Sequence, residues 1–159
     1  MLHIKIIAVG KLRERYLREG CVEYLRRLNS YAQVEVVEIK EETHGTPSAR
    51  TDAEAKRITA ALPARCHLIV LDERGKQFTS PKFARYLEQV AAGGQSAVCF
   101  VIGGADGVAP HFREQAQLLL SFSQLTFPHQ LFRVLLLEQI YRVFTIQRGE
   151  PYHRAGLDI

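Results

Sequence analysis

The chain has 159 residues, 47% of them hydrophobic and 24% charged, with a formal net charge of +4. These values exclude tandem domains and wholesale disorder, and predict one domain spanning residues 1–159. The mildly basic balance permits a nucleic-acid partner without requiring one. Apolar runs fall far short of the roughly 20 residues of a membrane helix. The brief run Ile6–Val9 precedes Arg13, Arg15 and Arg18, the reverse of a secretory signal, so a cytoplasmic protein without a membrane partner is expected. Cys21, Cys66 and Cys99 are too widely spaced to suggest a disulfide framework or a metal site.

In chain order, Leu2–Val9 is β-rich and alternates imperfectly. Arg13–Leu28 sets Tyr16, Leu17, Tyr24, Leu25 and Leu28 on roughly one helical face. Val34–Ile39 reads as a strand with Glu35 and Glu38 pointing outward, and Glu41–Arg50 as a polar loop. Thr51–Leu62 reads as a helix, with Thr51 as N-cap and Glu54 completing a capping box. Leu68–Leu71 is a continuous apolar strand. Ser80–Val90 reads as a helix capped by Ser80 with Pro81 at its first position. Ala97–Ile102 is another apolar strand, Pro110–Leu119 a proline-opened helix, Leu125–Phe127 a short apolar stretch and Gln130–Ile146 the longest helix. The order βαβαβαβαβα predicts an α/β fold with a parallel sheet covered on both faces.

The loop Gly103-Gly104-Ala105-Asp106-Gly107 follows a strand and precedes a helix, where open α/β sheets bind ligands. It is neither a GxGxxG nor a P-loop, and a plain turn explains it equally well. Asp72 and Glu73 at another strand's end suit a ribose or a metal, or a solvated turn with local ion pairs. Ser121–Phe127 interleaves hydroxyl and apolar residues, as an apolar pocket with polar handles does, and as an edge strand also does. Gln130–Ile146 is apolar on most faces, so it must be buried on more than one side, and a second subunit is expected against it. Within it Glu138 and Arg142 are spaced for an ion pair. The tail from Arg148 to Arg154 groups residues that suit phosphate contact, base stacking and proton exchange, though a solvated tail has the same composition.

The blocks IIAVGK (6–11), VLDERGK (70–76), VIGGADG (101–107), LTFPHQLFR (125–133), LEQIYRVFTI (137–146) and RGEPYHR (148–154) occur in this order along nearly the whole chain. Together they resemble the SPOUT methyltransferases, and within that class the ribosomal RNA large-subunit methyltransferase H family. The resemblance implies a parallel-sheet SPOUT fold with a C-terminal deep trefoil knot. It implies a homodimer whose partner subunit completes each active site, and S-adenosylmethionine as cofactor, with no metal. The implied reaction is methyl transfer to N3 of a pseudouridine in 23S rRNA of the assembled ribosome. Carried over residue by residue, the cofactor positions fall on Leu71, Gly103, Phe122, Ser123, Gln124, Leu125, Thr126 and Phe127.

Residue type alone then suggests His153 as general base, with His129 second and Arg154 beside it. Arg142, Tyr152 and Arg154 are expected to hold RNA. A non-catalytic ribosome-binding factor would use the same basic tail without binding the cofactor. A SPOUT enzyme acting on tRNA would be expected to carry a further RNA-binding domain.

Overall fold

The computed structural model describes residues 1–154, and the tail residues Ala155–Ile159 lie outside the described residues. The chain runs β1 (His3–Val9), α1 (Arg15–Leu28), β2 (Gln33–Ile39), α2 (Pro47–Ala61), β3 (His67–Lys76), α3 (Ser80–Ala92), β4 (Ala97–Ile102), α4 (Pro110–Arg113), β5 (Leu118–Leu120) and α5 (His129–Gln147). The five strands form one sheet in the order β2-β1-β4-β3-β5. Every pairing in it is parallel.

Side chains alternate across the pleat with period two. Ile4, Ile6, Ile69, Val98, Phe100 and Ile102 face one side, against residues of α1, α3 and α5. Ile7, Val9, Leu68, Val70, Cys99 and Val101 face the other, against Ala55 and Ile58 of α2 and Phe112 of α4. Both faces are therefore covered, and the central strands β3 and β4 read as continuous apolar runs for that reason.

Two helix N-caps differ from the sequence expectation, each for a local reason. Helix α2 begins four residues earlier, at Pro47, because the Thr46 hydroxyl caps it by accepting from the Ala49 N–H at 3.1 Å. Thr51 lies inside the helix and donates to the Ser48 carbonyl, so its spacing to Glu54 only imitates a capping box. Helix α3 is capped by Thr79 rather than Ser80, leaving the Ser80 hydroxyl to donate to Gln139 on α5 at 2.8 Å.

Pro110–Leu119 is not one helix. Four residues are helical, and Leu118–Leu120 pairs with Ile69–Leu71 as the fifth strand. Tertiary pairing overrides the helix preference of leucine there. Leu125–Phe127 forms no strand.

β3 meets β5 in an unusual way. Leu120 pairs with both Leu71 and Lys76, and residues 72–75 bulge between the two contacts. A side chain at Gly75 would place its Cβ 2.5 Å from the Leu119 carbonyl carbon, so only glycine permits the approach.

Helix α5 is seated between α1 and α3 on the sheet. Arg133, Leu136, Leu137, Ile140, Val143, Phe144 and Thr145 are buried. This chain's own helices cover two sides of α5, while Leu131, Val134 and Leu135 stay half-buried. Arg133 anchors the N-terminal end of α5, donating to Glu38 at 2.7 Å and to the Gly10 carbonyl at 3.2 Å.

Glu54 of α2 is 3% exposed. Its Oε2 accepts from the Glu42 N–H, while Oε1 has no partner among the described residues. Burial holds this carboxyl above the usual range. A raised folded-state pKa gives stability that is complete below the unfolded value and is lost as pH rises through the folded value. Glu54→Gln fixes the neutral state. Its melting temperature relative to the parent is therefore expected to climb as pH rises above about 4. Thermal unfolding as a function of pH checks this, and parallel curves for the two proteins would refute it.

Candidate active site

A cleft of about 630 Å³ opens at the ends of β3, β4 and β5. This is the edge at which parallel α/β sheets bind ligands. Seven of the eight expected cofactor positions line it: Leu71, Gly103, Phe122, Ser123, Leu125, Thr126 and Phe127. Gln124 is exposed and does not contribute to the wall.

The segment after β5 is wound by its own hydroxyl groups. The buried Ser121 hydroxyl donates to the Ser123 carbonyl at 3.0 Å, and the Ser123 hydroxyl accepts from the Leu125 N–H at 3.0 Å. Phe132 of α5 meets Phe122 and Phe127 edge-on, at 5.8 and 5.6 Å between ring centres. The cleft thus has aromatic and aliphatic walls, with main-chain groups of a wound loop along its rim.

Gly103 also has a role within its own loop. A Cβ there would point into the loop itself, 2.7 Å from the Gly107 carbonyl oxygen and 2.8 Å from the Val108 side chain. The absent side chain makes room for the loop's own turn, in which the Gly107 N–H donates to the Gly104 carbonyl at 3.0 Å.

The loop is also clamped from outside. Arg50 of α2 grips Asp106 through both oxygens, at 2.7 and 3.1 Å, and the guanidinium holds the Asp106 carboxyl below its ordinary range. On the opposite wall Asp72 is drawn inward between Arg74 and Arg113, at 3.9 and 3.7 Å. The Arg50–Asp106 contact has no local sequence signature, because the two residues stand 56 positions apart. Asp72 thus makes the local ion pair to Arg74 and a further one to Arg113 of α4.

The tail residues assemble elsewhere. After α5 the chain turns, and Glu150 is fixed by the Tyr31 hydroxyl, which donates to it at 2.5 Å. That hydrogen bond, with burial, pushes the Tyr31 hydroxyl up to about 12. The tail leaves the helix and folds back against it. Tyr152 donates to Glu138 at 2.7 Å and packs edge-on against Tyr141. Burial, reinforced by the bond to Glu138, raises the Tyr152 hydroxyl well above its ordinary range.

Arg142 pairs with Glu138 at 2.7 Å, covers the Tyr152 ring and reaches His153 Nδ1 at 3.1 Å. Arg154 is exposed. Arg142, Tyr152 and His153 therefore form one cluster, braced by Glu138, which the sequence marked only as half of an ion pair. His129 lines the cleft instead. Glu138 and Arg142 lie nine and thirteen residues beyond His129 on α5. At about 1.5 Å per residue these are distances of about 14 and 20 Å along the axis.

Comparison with known proteins follows the same outline. The family described as "Predicted SPOUT methyltransferase" matches residues 2–153. The ribosomal RNA large subunit methyltransferase H of Desulfitobacterium hafniense is 46% identical over 160 residues, covering 97% of this chain and 100% of its own length. The protein of the same name from Streptococcus thermophilus is 43% identical over 159 residues, covering 96% of this chain and 100% of its own. Among solved structures, a probable methylase family protein from Haemophilus influenzae superposes with a TM-score of 0.55 at 11% identity. It covers 98% of this chain and 72% of that one, a likeness of fold alone. The chain belongs to the SPOUT methyltransferase family, in company with the ribosomal RNA large subunit methyltransferases H.

Proposed function

We propose that this protein transfers a methyl group from S-adenosylmethionine to N3 of a pseudouridine in 23S rRNA, on the assembled ribosome in the cytoplasm. In this reading it works as a homodimer with two composite sites. Each site takes its cleft from one subunit and its Arg142–Tyr152–His153–Arg154 cluster from the other. The observation that carries the composite site is separation. The cluster is bonded to Glu138 and Arg142, which lie about 9 and 15 Å along α5 beyond Phe132, the last residue of that helix to line its own cleft. The half-buried Leu131, Val134 and Leu135 of α5 support a partner against this helix. Among the described residues no helix is long and apolar enough to cross a membrane.

The cleft fits the cofactor. Its volume lies within the range of about 300–1,000 Å³ usual for small-molecule sites. Leu71 and Phe127 provide apolar walls for a purine, and the main chain of residues 122–127 provides donors and acceptors for its edge. S-adenosylmethionine supplies an activated methyl group on a sulfonium. The protein's part is to align acceptor and methyl, exclude water and hold the RNA, so alignment is the principal source of rate. Arg142 and Arg154 offer charge-assisted contacts to phosphate, and Tyr152 offers a stacking face.

The same reading includes the trefoil knot of the class, in which the C-terminal segment threads a loop. Support comes from the Ser121 N–H donating to the Lys76 carbonyl at 3.0 Å, and from the contact of Gly75 with Leu119.

Two measurements test the composite site. Thr126→Trp places a bulky group on an exposed residue of the cleft wall, and calorimetry is expected to show S-adenosylmethionine binding lost with helix content unchanged. Gly103→Val is expected to abolish binding by forcing the loop apart, and so to lower the melting temperature as well. For the second measurement, Thr126→Trp subunits are mixed with His153→Ala subunits, each inactive alone. The heterodimer keeps one site with an intact cleft and an intact tail, and is expected to recover roughly half of the parent activity. Verified heterodimers without activity would reject a site shared between subunits.

A further inference from the structure

We propose that His153 serves methyl transfer as a neutral hydrogen-bond donor through Nε2, and not as the base that removes the N3 proton. The proposal rests on the reading above, in which the tail meets the target base.

Arg142 Nη1 stands 3.1 Å from His153 Nδ1. A guanidinium has only N–H donors and keeps its proton at every accessible pH. Nδ1 is therefore the acceptor, and the ring proton sits on Nε2. A second ring proton would point one N–H at another.

The rest of the cluster locks this arrangement. Arg142 is held by both oxygens of Glu138, at 2.7 and 3.4 Å, and its guanidinium lies 4.7 Å from the centre of the Tyr152 ring. The Tyr152 hydroxyl donates to the same carboxylate. From α1, Arg27 covers the Tyr24 and Tyr141 rings at 5.1 and 5.5 Å. The charges of this cluster are Arg142, Arg27 and the adjacent Arg154, with two carboxylates, Glu138 and Glu23, each already engaged, the first by Arg142 and Tyr152 and the second by Arg27. A ring held in this way has no free lone pair with which to accept a proton. It has one N–H to give.

A donor suits the chemistry. N3 of pseudouridine lies between two carbonyl groups. Loss of the N3 proton to water leaves an anion shared by N3 and both carbonyl oxygens. Nε2–H donates to one of those oxygens as the charge develops, in the manner of an oxyanion hole. The N3 electron pair then forms the bond to the methyl carbon. The C–S pair passes to sulfur, and the proton remains on water. Removal of one such donor typically lowers the rate by about 10²–10³.

The test uses the full-length dimer, ribosomes as substrate and labelled S-adenosylmethionine, with His153→Gln, His153→Glu and His153→Ala compared in single turnovers. Gln offers a neutral N–H and is no base. Ionised Glu is a base and offers no N–H. The Gln variant is expected to stay within about tenfold of the parent, while Glu and Ala fall by about 100-fold or more, with cofactor affinity unchanged in all three.

The parent's pH profile gives an independent reading. A donor leaves the rate rising about tenfold per pH unit through the histidine range, whereas a histidine base makes it level off above about pH 6.5. An active Glu variant with Gln no better than Ala, or a parent profile that levels off in that range, overturns the donor role. A parent protein that transfers no methyl group to ribosomes overturns the functional reading itself, and this proposal with it.

Discussion

The cleft side of the molecule depends on one backbone contact, the approach of Gly75 to Leu119. Because no side chain intervenes, β3 touches β5 twice, and Leu120 is paired by Leu71 and again by Lys76. The residues between the two contacts are pushed outward, and they carry Asp72 and Arg74 into the cleft wall. The short β5 ends at that point, and the hydroxyl-wound segment begins at Ser121. Helix α5 can then enter at Phe132, against the aromatic rings of that segment, and be pinned at Arg133 to the far end of the sheet.

Much of this fold is legible in the sequence, and the exceptions share a cause. Ala97–Ile102 can be read to the residue because a strand buried on both faces has no polar position to blur its ends. Leu118–Leu120 cannot. Three leucines carry no strand signal of their own, and their pairing with residues 69–71 is a relation across nearly fifty positions. The helix caps show the same limit at short range. Thr46 and Thr51 are both chemically able to cap, and only the backbone settles that Thr46 does.

The site divides along the same line. The glycine loop and the Ser121–Phe127 segment are local features, and seven of the eight positions carried over from the family resemblance line the cleft wall. The purpose of Gly103 is not local. Its missing side chain is needed by Gly107 and Val108, which fold over it. Arg50, Arg113 and Glu138 matter through partners that only the tertiary structure supplies. The tail residues are recognisable as a chemical set, while the hydrogen bond that assigns the His153 proton comes from a helix residue eleven positions earlier.

The folded-back tail has a thermodynamic consequence. Residues just beyond a helix end ordinarily explore many conformations, and ordering each of them costs about 1–2 kcal/mol in backbone entropy. Here Tyr31 holds Glu150, Glu138 holds Tyr152 and Arg142 holds His153. That entropy is lost when the protein folds, not when it meets another molecule. A surface ordered in advance gives up less freedom on association, so a small contact area can yield a larger net affinity and a narrower choice of geometry. For a chain this short, with little surface to spare, rigidity at the tail takes the place of extent.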